Sequence, residues 1–130
     1  MSSTENKMTK PKEYQKMINA LDIENFELKT SNALEARITL VNLQRLEEEL
    51  HEIRRNVSGN MRAISLKYLE SRQQKSSFLG LKSKTSSRRK SLDTKKVKEQ
   101  GPYKKVLYII DDYLNQIEEI KEYIDNLNLE

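Results

Sequence analysis

The apolar residues of this chain fall into runs of helical spacing, and the last run is the cleanest. Tyr103, Val106, Ile110, Tyr113, Ile117, Ile120, Ile124 and Leu127 recur in alternating steps of three and four. Side chains at such steps share one face of a helix. With the a positions of a heptad at 103, 110, 117 and 124 and the d positions at 106, 113, 120 and 127, Leu107 and Leu114 fall at e and Ile109 at g. This stripe is wider than a strict two-stranded seam and suits a bundle, or a hairpin that also dimerises. The pattern predicts a helix over 102–128, opened by Gly101-Pro102.

A second seam runs through Leu43, Leu46, Leu50, Ile53, Val57 and Ile64, with Asn60 in one inward slot. The helix that carries it is expected over 32–74. Asn32 is placed to cap it and Glu35, three residues on, completes a capping box. Ser58-Gly59-Asn60 is its weak point, because Gly costs about 1 kcal/mol against Ala inside a helix. Either the helix runs on through a soft spot or it breaks at Gly59. The phase kept from Val57 to Ile64 favours continuity. A shorter helix is expected over 11–29. Pro11 suits a first turn, and Tyr14, Met17, Ile18 and Leu21 share a face. Within it, Leu21 to Thr30 is ambiguous between helix and loop. Residues 1–10 read as disordered.

Between the two seams, 75–101 shows no sustained period and is rich in Ser and Lys. It reads as a flexible linker, with a short helix available to Ser91–Lys98. No repeat of fixed length appears. The expected fold is therefore all-α: an antiparallel helical hairpin, coiled coil or small bundle with a basic linker between its two main helices. So thin a hairpin buries little per residue, which makes a homo-oligomer or a docked protein partner a reasonable expectation. The residues expected at such an interface are Leu43, Leu46, Leu50, Ile53, Val57, Ile110, Tyr113, Ile117, Ile120 and Ile124. The simplest use of the same stripes is the chain's own core.

Charge adds the one feature above background. From Arg72 to Lys105 there are 12 Lys and Arg against 2 Asp and Glu, or +10, whereas the remaining residues carry 12 against 18, or −6. Segregation of this kind suggests an anionic partner. Lys82, Lys84, Arg88, Arg89, Lys90, Lys95, Lys96 and Lys98 are the candidate nucleic-acid contacts, since each cation can neutralise a phosphate and release counterions. Aromatics for base stacking are scarce, with Phe78 before the cluster and Tyr103 after it, so backbone contact is expected rather than base readout. A merely solubilising basic loop is the plain alternative. An anionic membrane surface, with Phe78, Leu79 and Leu81 as a foothold, ranks lower. Arg88-Arg89-Lys90-Ser91-Leu92 makes Ser91 a candidate phosphorylation site, where added negative charge would weaken phosphate contacts.

Catalytic chemistry finds no support. The three glycines, at 59, 80 and 101, lie too far apart for a phosphate-cradling loop. The chain has no Cys, so thiolate nucleophiles and Cys-based zinc sites are excluded. His51 is the only histidine and falls on an outer position. Glu48 and His51 form a single Glu-x-x-His unit, where a di-iron bundle needs two plus further inward glutamates. Asp111, Asp112, Glu118, Glu119, Glu122 and Asp125 fall at outer positions of the last helix and read as a solvated acidic face, or as a dock for a basic partner. No metal or cofactor is expected. Asn56-Val57-Ser58 matches a glycosylation sequon by accident, because no secretory signal is visible. The expected compartment is the cytoplasm, or the nucleus in a eukaryotic cell. The expected function is that of a non-catalytic helical accessory protein that self-associates or docks through its seams and touches nucleic-acid backbone with its basic segment. The alternative is a protein–protein adaptor without nucleic-acid contact.

Overall fold

The computed structural model describes residues 8–79 and 82–128, with the side chains of 71–89 left aside. Every regular element among them is helical. Helix α1 spans Pro11–Ala20, α2 spans Ala33–Leu79 and α3 spans Lys82–Asn126, with a 3-10 turn at Ile23–Asn25 between α1 and α2.

Helix α2 begins as its cap dictates: the Glu35 amide donates to Asn32 Oδ1 at 2.9 Å. It then runs unbroken for 47 residues, about 70 Å at ~1.5 Å per residue. It passes through Gly59, and it ends at Leu79 rather than near Gln74. Continuity at Gly59 follows from burial on both sides of it. Val57 and Ile64 are both fully buried, and the packing they gain on one continuous helix outweighs the propensity cost of a single glycine.

Helix α3 corrects the sequence reading most. It starts at Lys82, so Lys82–Gly101, expected as linker, is helical, and Pro102 lies inside the helix instead of opening it. The heptad phase of the last seam extends backwards to Leu92 and Glu99 at d and Lys96 at a. Leu92 is buried, and Lys96 and Glu99 are half-buried. Polar side chains in inward slots hid the phase. Pro102 removes one backbone donor, the N–H owed to the Lys98 carbonyl. Nearby, Gln100 Nε2 bridges to α2, donating to the Met61 carbonyl at 2.8 Å and to Ser65 Oγ at 2.9 Å.

The two long helices are antiparallel. Glu47 pairs with Lys121, Arg54 with Asp111 and Lys67 with Glu99, so one partner's number rises as the other's falls. Leu43, Leu50, Ile53, Val57 and Ile64 of α2 close on Tyr103, Val106, Ile110, Ile117 and Ile124 of α3 as one apolar core.

Helix α1 lies on this hairpin but covers only part of it. It ends at Ala20, short of the expected 29, because Asp22 turns the chain through a left-handed conformation (φ 54°). Asp tolerates that region, and Asn25 Nδ2 donates to Asp22 Oδ1 at 2.7 Å. Tyr14 and Ile18 are buried, whereas Met17, expected on the same face, is exposed. The start of α1 is pinned at the middle of the hairpin. Asn60 Nδ2 donates to the Tyr14 hydroxyl at 2.7 Å and to the Thr9 carbonyl at 3.3 Å, and the Tyr103 hydroxyl donates to the same carbonyl at 2.9 Å. Residues 8–10, expected to be disordered, are thus anchored; the first seven lie outside the described residues. The inward slot at 60 needs Asn because it answers these polar groups.

The consequence is a rod of two unequal halves. The half holding the free ends of α2 and α3 is a base, three helices thick along α1. From about Met61 to Lys105 the hairpin continues, among the described residues, as a bare two-helix arm.

Candidate nucleic-acid interface

Hairpin closure places residues 61–79 beside 82–105, and these are the basic stretches of the sequence. Positions 61–105 hold 14 Lys and Arg against 3 Asp and Glu, a net of +11. The parts of α2 and α3 in the base, 33–60 and 106–128, hold 5 against 11, a net of −6. The fold therefore turns a charge asymmetry along the sequence into one along the rod, and it recruits Arg62 and Lys67 to the basic end.

The candidate contacts stand as follows. Lys90, Lys95 and Lys98 are exposed and Lys96 is half-buried. Lys82, Lys84, Arg88 and Arg89 lie on the helical backbone of α3, but their side chains are outside the described ones. Ser91, Lys95, Lys98, Pro102 and Lys105 are all exposed and follow one another at steps of three and four. They form one edge of α3, and the helical register carries positions 88 and 84 onto the same row. Ser91, the candidate phosphorylation site, stands in this row, while its neighbour Leu92 is buried.

Tyr103 is not available for base stacking. It is buried, lies edge-on to Tyr14 with ring centroids 6.4 Å apart, and spends its hydroxyl on Thr9. Burial raises its pKa above the ordinary tyrosine value.

One polar cluster fixes the two helices of the arm to each other. The Tyr68 hydroxyl donates to Glu99 Oε1 at 2.6 Å, and Lys67 Nζ reaches the same carboxylate at 2.9 Å while lying over the Tyr68 ring. The Tyr68 hydrogen bond first, then that from Lys67, holds Glu99 below its ordinary 4.5. The contact with Glu99 raises Lys67 above 10.5 and Tyr68 above 10.0. The signs follow from linkage. A carboxylate with a lowered folded value contributes stability that is fully present above pH 4.5 and is lost as pH falls through that lowered value. Lys67 and Tyr68, with raised values, contribute below their ordinary values and lose it as pH rises through the raised ones. The protection factors of amides in the arm, taken relative to intrinsic exchange at each pH, should therefore fall on acidification from about pH 6 to pH 3, and Glu99→Gln should flatten that dependence. An equal acid response in both proteins would remove the cluster from the account.

The residues expected at an oligomer interface are used within the chain. Leu43, Leu50, Ile53, Val57, Ile110, Ile117 and Ile124 are buried in the hairpin core, and Leu46, Tyr113 and Ile120 are packed half-buried against it. A partner would reach the fully buried ones only by opening the hairpin, because each helix already supplies the apolar face that the other needs. Asp111, expected on the outer face, instead flanks the seam, where Arg54 Nε donates to its Oδ1 at 2.8 Å. Glu118 also has a partner, joining Glu47 around Lys121. Asp112, Glu119, Glu122 and Asp125 are exposed as expected, as are Glu48 and His51.

Among the described residues no cluster of His, Asp and Glu is arranged to hold a metal ion, and no helix is long and apolar enough to cross a membrane. Open clefts are present among the described residues. One of about 530 Å³ lies between the 26–29 loop and the start of α2, beside Ile38 and Arg45; another, of about 400 Å³, lies between α1 and α3. Comparison with known proteins finds no family model, no curated protein and no solved structure that matches this chain.

Proposed function

We propose that this is a non-catalytic accessory protein that grips nucleic-acid backbone with its projecting two-helix arm. The observation that supports this reading most is the arm itself, with a net charge of +11 borne on a part of the rod that α1 does not cover. The exposed row of Lys95, Lys98 and Lys105 gives cations at helical intervals along one edge, and Lys90 and Lys104 lie next to it. Such a row neutralises successive phosphates without reading bases. The withdrawal of Tyr103 into the core favours backbone contact over stacking. The acidic base turns the same rod away from phosphate at its other end, so binding is oriented.

The test is fluorescence anisotropy of labelled single- and double-stranded DNA and RNA across a salt series. The intact chain should show log affinity falling steeply with log salt. Replacing Lys90, Lys95 and Lys98 together with Gln should weaken binding and reduce the slope by roughly 2 to 3, at about 0.7–0.9 per phosphate contact. An unchanged slope would overturn the assignment of these residues. No binding at low salt would overturn the reading as a whole and leave the adaptor alternative, with an acidic protein on the arm.

A further inference from the structure

The seam residues are consumed by the hairpin, yet α2 keeps a second ordered row on its opposite side. Leu34, Ile38, Val41, Arg45, Glu48, Glu52, Arg55, Gly59, Arg62, Leu66 and Leu69 follow at steps of three and four. These are the c and f positions of the heptad whose a and d positions form the core. The row is turned to solvent: its five large apolar side chains are 41% to 65% exposed, and Arg45, Glu48, Glu52, Arg55 and Arg62 are exposed too. Among the described residues no ion pair within the chain engages Glu48, Glu52 or Arg55.

About Glu52 the row is self-complementary at its ends and beside its centre: Leu34 and Ile38 mirror Leu69 and Leu66, and Glu48 mirrors Arg55. Apolar residues stand at both ends, an arginine follows inside each, and Glu48 and Arg55 flank the centre. We infer that this back face of α2 binds a second copy of the chain, antiparallel, about a two-fold axis near Glu52. In that register Leu34 meets Leu69 of the second copy, Ile38 meets Leu66, and Glu48 meets Arg55, each contact occurring twice. The paired length is about 52 Å at ~1.5 Å per residue. Glu52 lies nearest the axis and faces Glu52 of the second copy, with the Arg55 of each copy one turn away to offset the like charges. Val41 is covered by the aliphatic stem of Arg62. Arg45 crosses Gly59, where a Cβ would meet nothing nearer than the Arg62 guanidinium at 3.9 Å. The absence of a side chain leaves room for the crossing guanidinium and gives a glycine in mid-helix a use.

Charge argues for the same occupant. An antiparallel pair keeps the two basic arms at opposite ends, whereas a parallel pair would stack them like on like. The inference does not depend on nucleic-acid binding.

Sedimentation equilibrium from low to high micromolar concentration tests it. The intact chain should approach twice its monomer mass. Glu48→Arg should weaken the dimer by about tenfold or more, because the axis counts each change twice. Glu48→Arg with Arg55→Glu should restore it. Helicity by circular dichroism should be unchanged in all three proteins. Position reports the register. A spin label on Glu70→Cys, in a chain that has no other Cys, should give an inter-label distance of about 54 Å for the antiparallel pair. A monomer at every concentration, a dimer indifferent to Glu48→Arg, or a short label distance would each overturn the proposal.

Discussion

Leu50→Ala should lower the unfolding free energy by about 3 kcal/mol, within the range of roughly 2–5 seen when a large buried aliphatic side chain is truncated. Leu50 is fully buried at the a slot of α2, in the same cluster as Val57, Val106, Ile110 and Ile117. Only α1 backs the seam as a third helix, and only along part of the base, so little surrounds Leu50 that can relax into the space left. The loss is therefore part transfer and part cavity. Set against a total stability of about 5–15 kcal/mol, it is a large fraction. Urea unfolding followed by circular dichroism should report it as a lowered midpoint at an unchanged slope. Tyr108→Ala is the control, since Tyr108 is 70% exposed and its loss should fall within about 0.5 kcal/mol. Equal effects of the two substitutions would mean that α2 and α3 are not packed along this seam.

Tyr14→Ala should cost a similar amount, about 3–4 kcal/mol, but with a different signature. The Tyr14 ring is buried against Tyr103, and its hydroxyl accepts from Asn60. Its removal takes away the main anchor of α1 together with the partner that Asn60 answers. Amides of residues 11–20 should then exchange at nearly unprotected rates, while those around Leu50 and Ile110 stay protected. Tyr14→Phe keeps the ring and removes only the hydroxyl, so it should cost about 1–2 kcal/mol and leave α1 docked. Protection of α1 that survives Tyr14→Ala would show that Ile18 and the 21–32 loop hold it without this junction.

These two substitutions also mark what could be read from sequence. The seam around Leu50 was legible, because apolar side chains at steps of three and four admit little else, and the antiparallel hairpin followed from two such seams. The start of α3 was not legible. Lys96 and Glu99 occupy inward slots and Gly101-Pro102 imitates a helix opening, so local signals opposed a helix that tertiary contact supports. The docking of α1 was equally hidden. Asn60 was visible as a polar residue in a seam, but its partners are Thr9 and Tyr14, some fifty positions away. Of the interface, the charge excess was legible and its place on the rod was not, since that depends on which segments the hairpin brings together. The use of the seam residues within the chain was open for a related reason. An a/d stripe announces that it needs a partner, not whether the partner is the same chain. The row from Leu34 to Leu69 carries five large apolar residues diluted by charge, which lowers the signal below that of the core.

The middle of the rod joins several features. Gly59 in α2 and Gly101-Pro102 in α3 lie within a few residues of the level where Asn60 and Tyr103 hold Thr9, and the sign of the charge changes there as well. Both long helices are thus most compliant at one cross-section, and the start of α1 acts there as a splint. Beyond this point the arm extends by about 30 Å, so a tilt of about ten degrees at the joint carries its end by roughly 5 Å. The molecule is then a lever on a damped pivot: the stiffness of the Tyr14 clasp sets how far the cationic end can swing relative to the base.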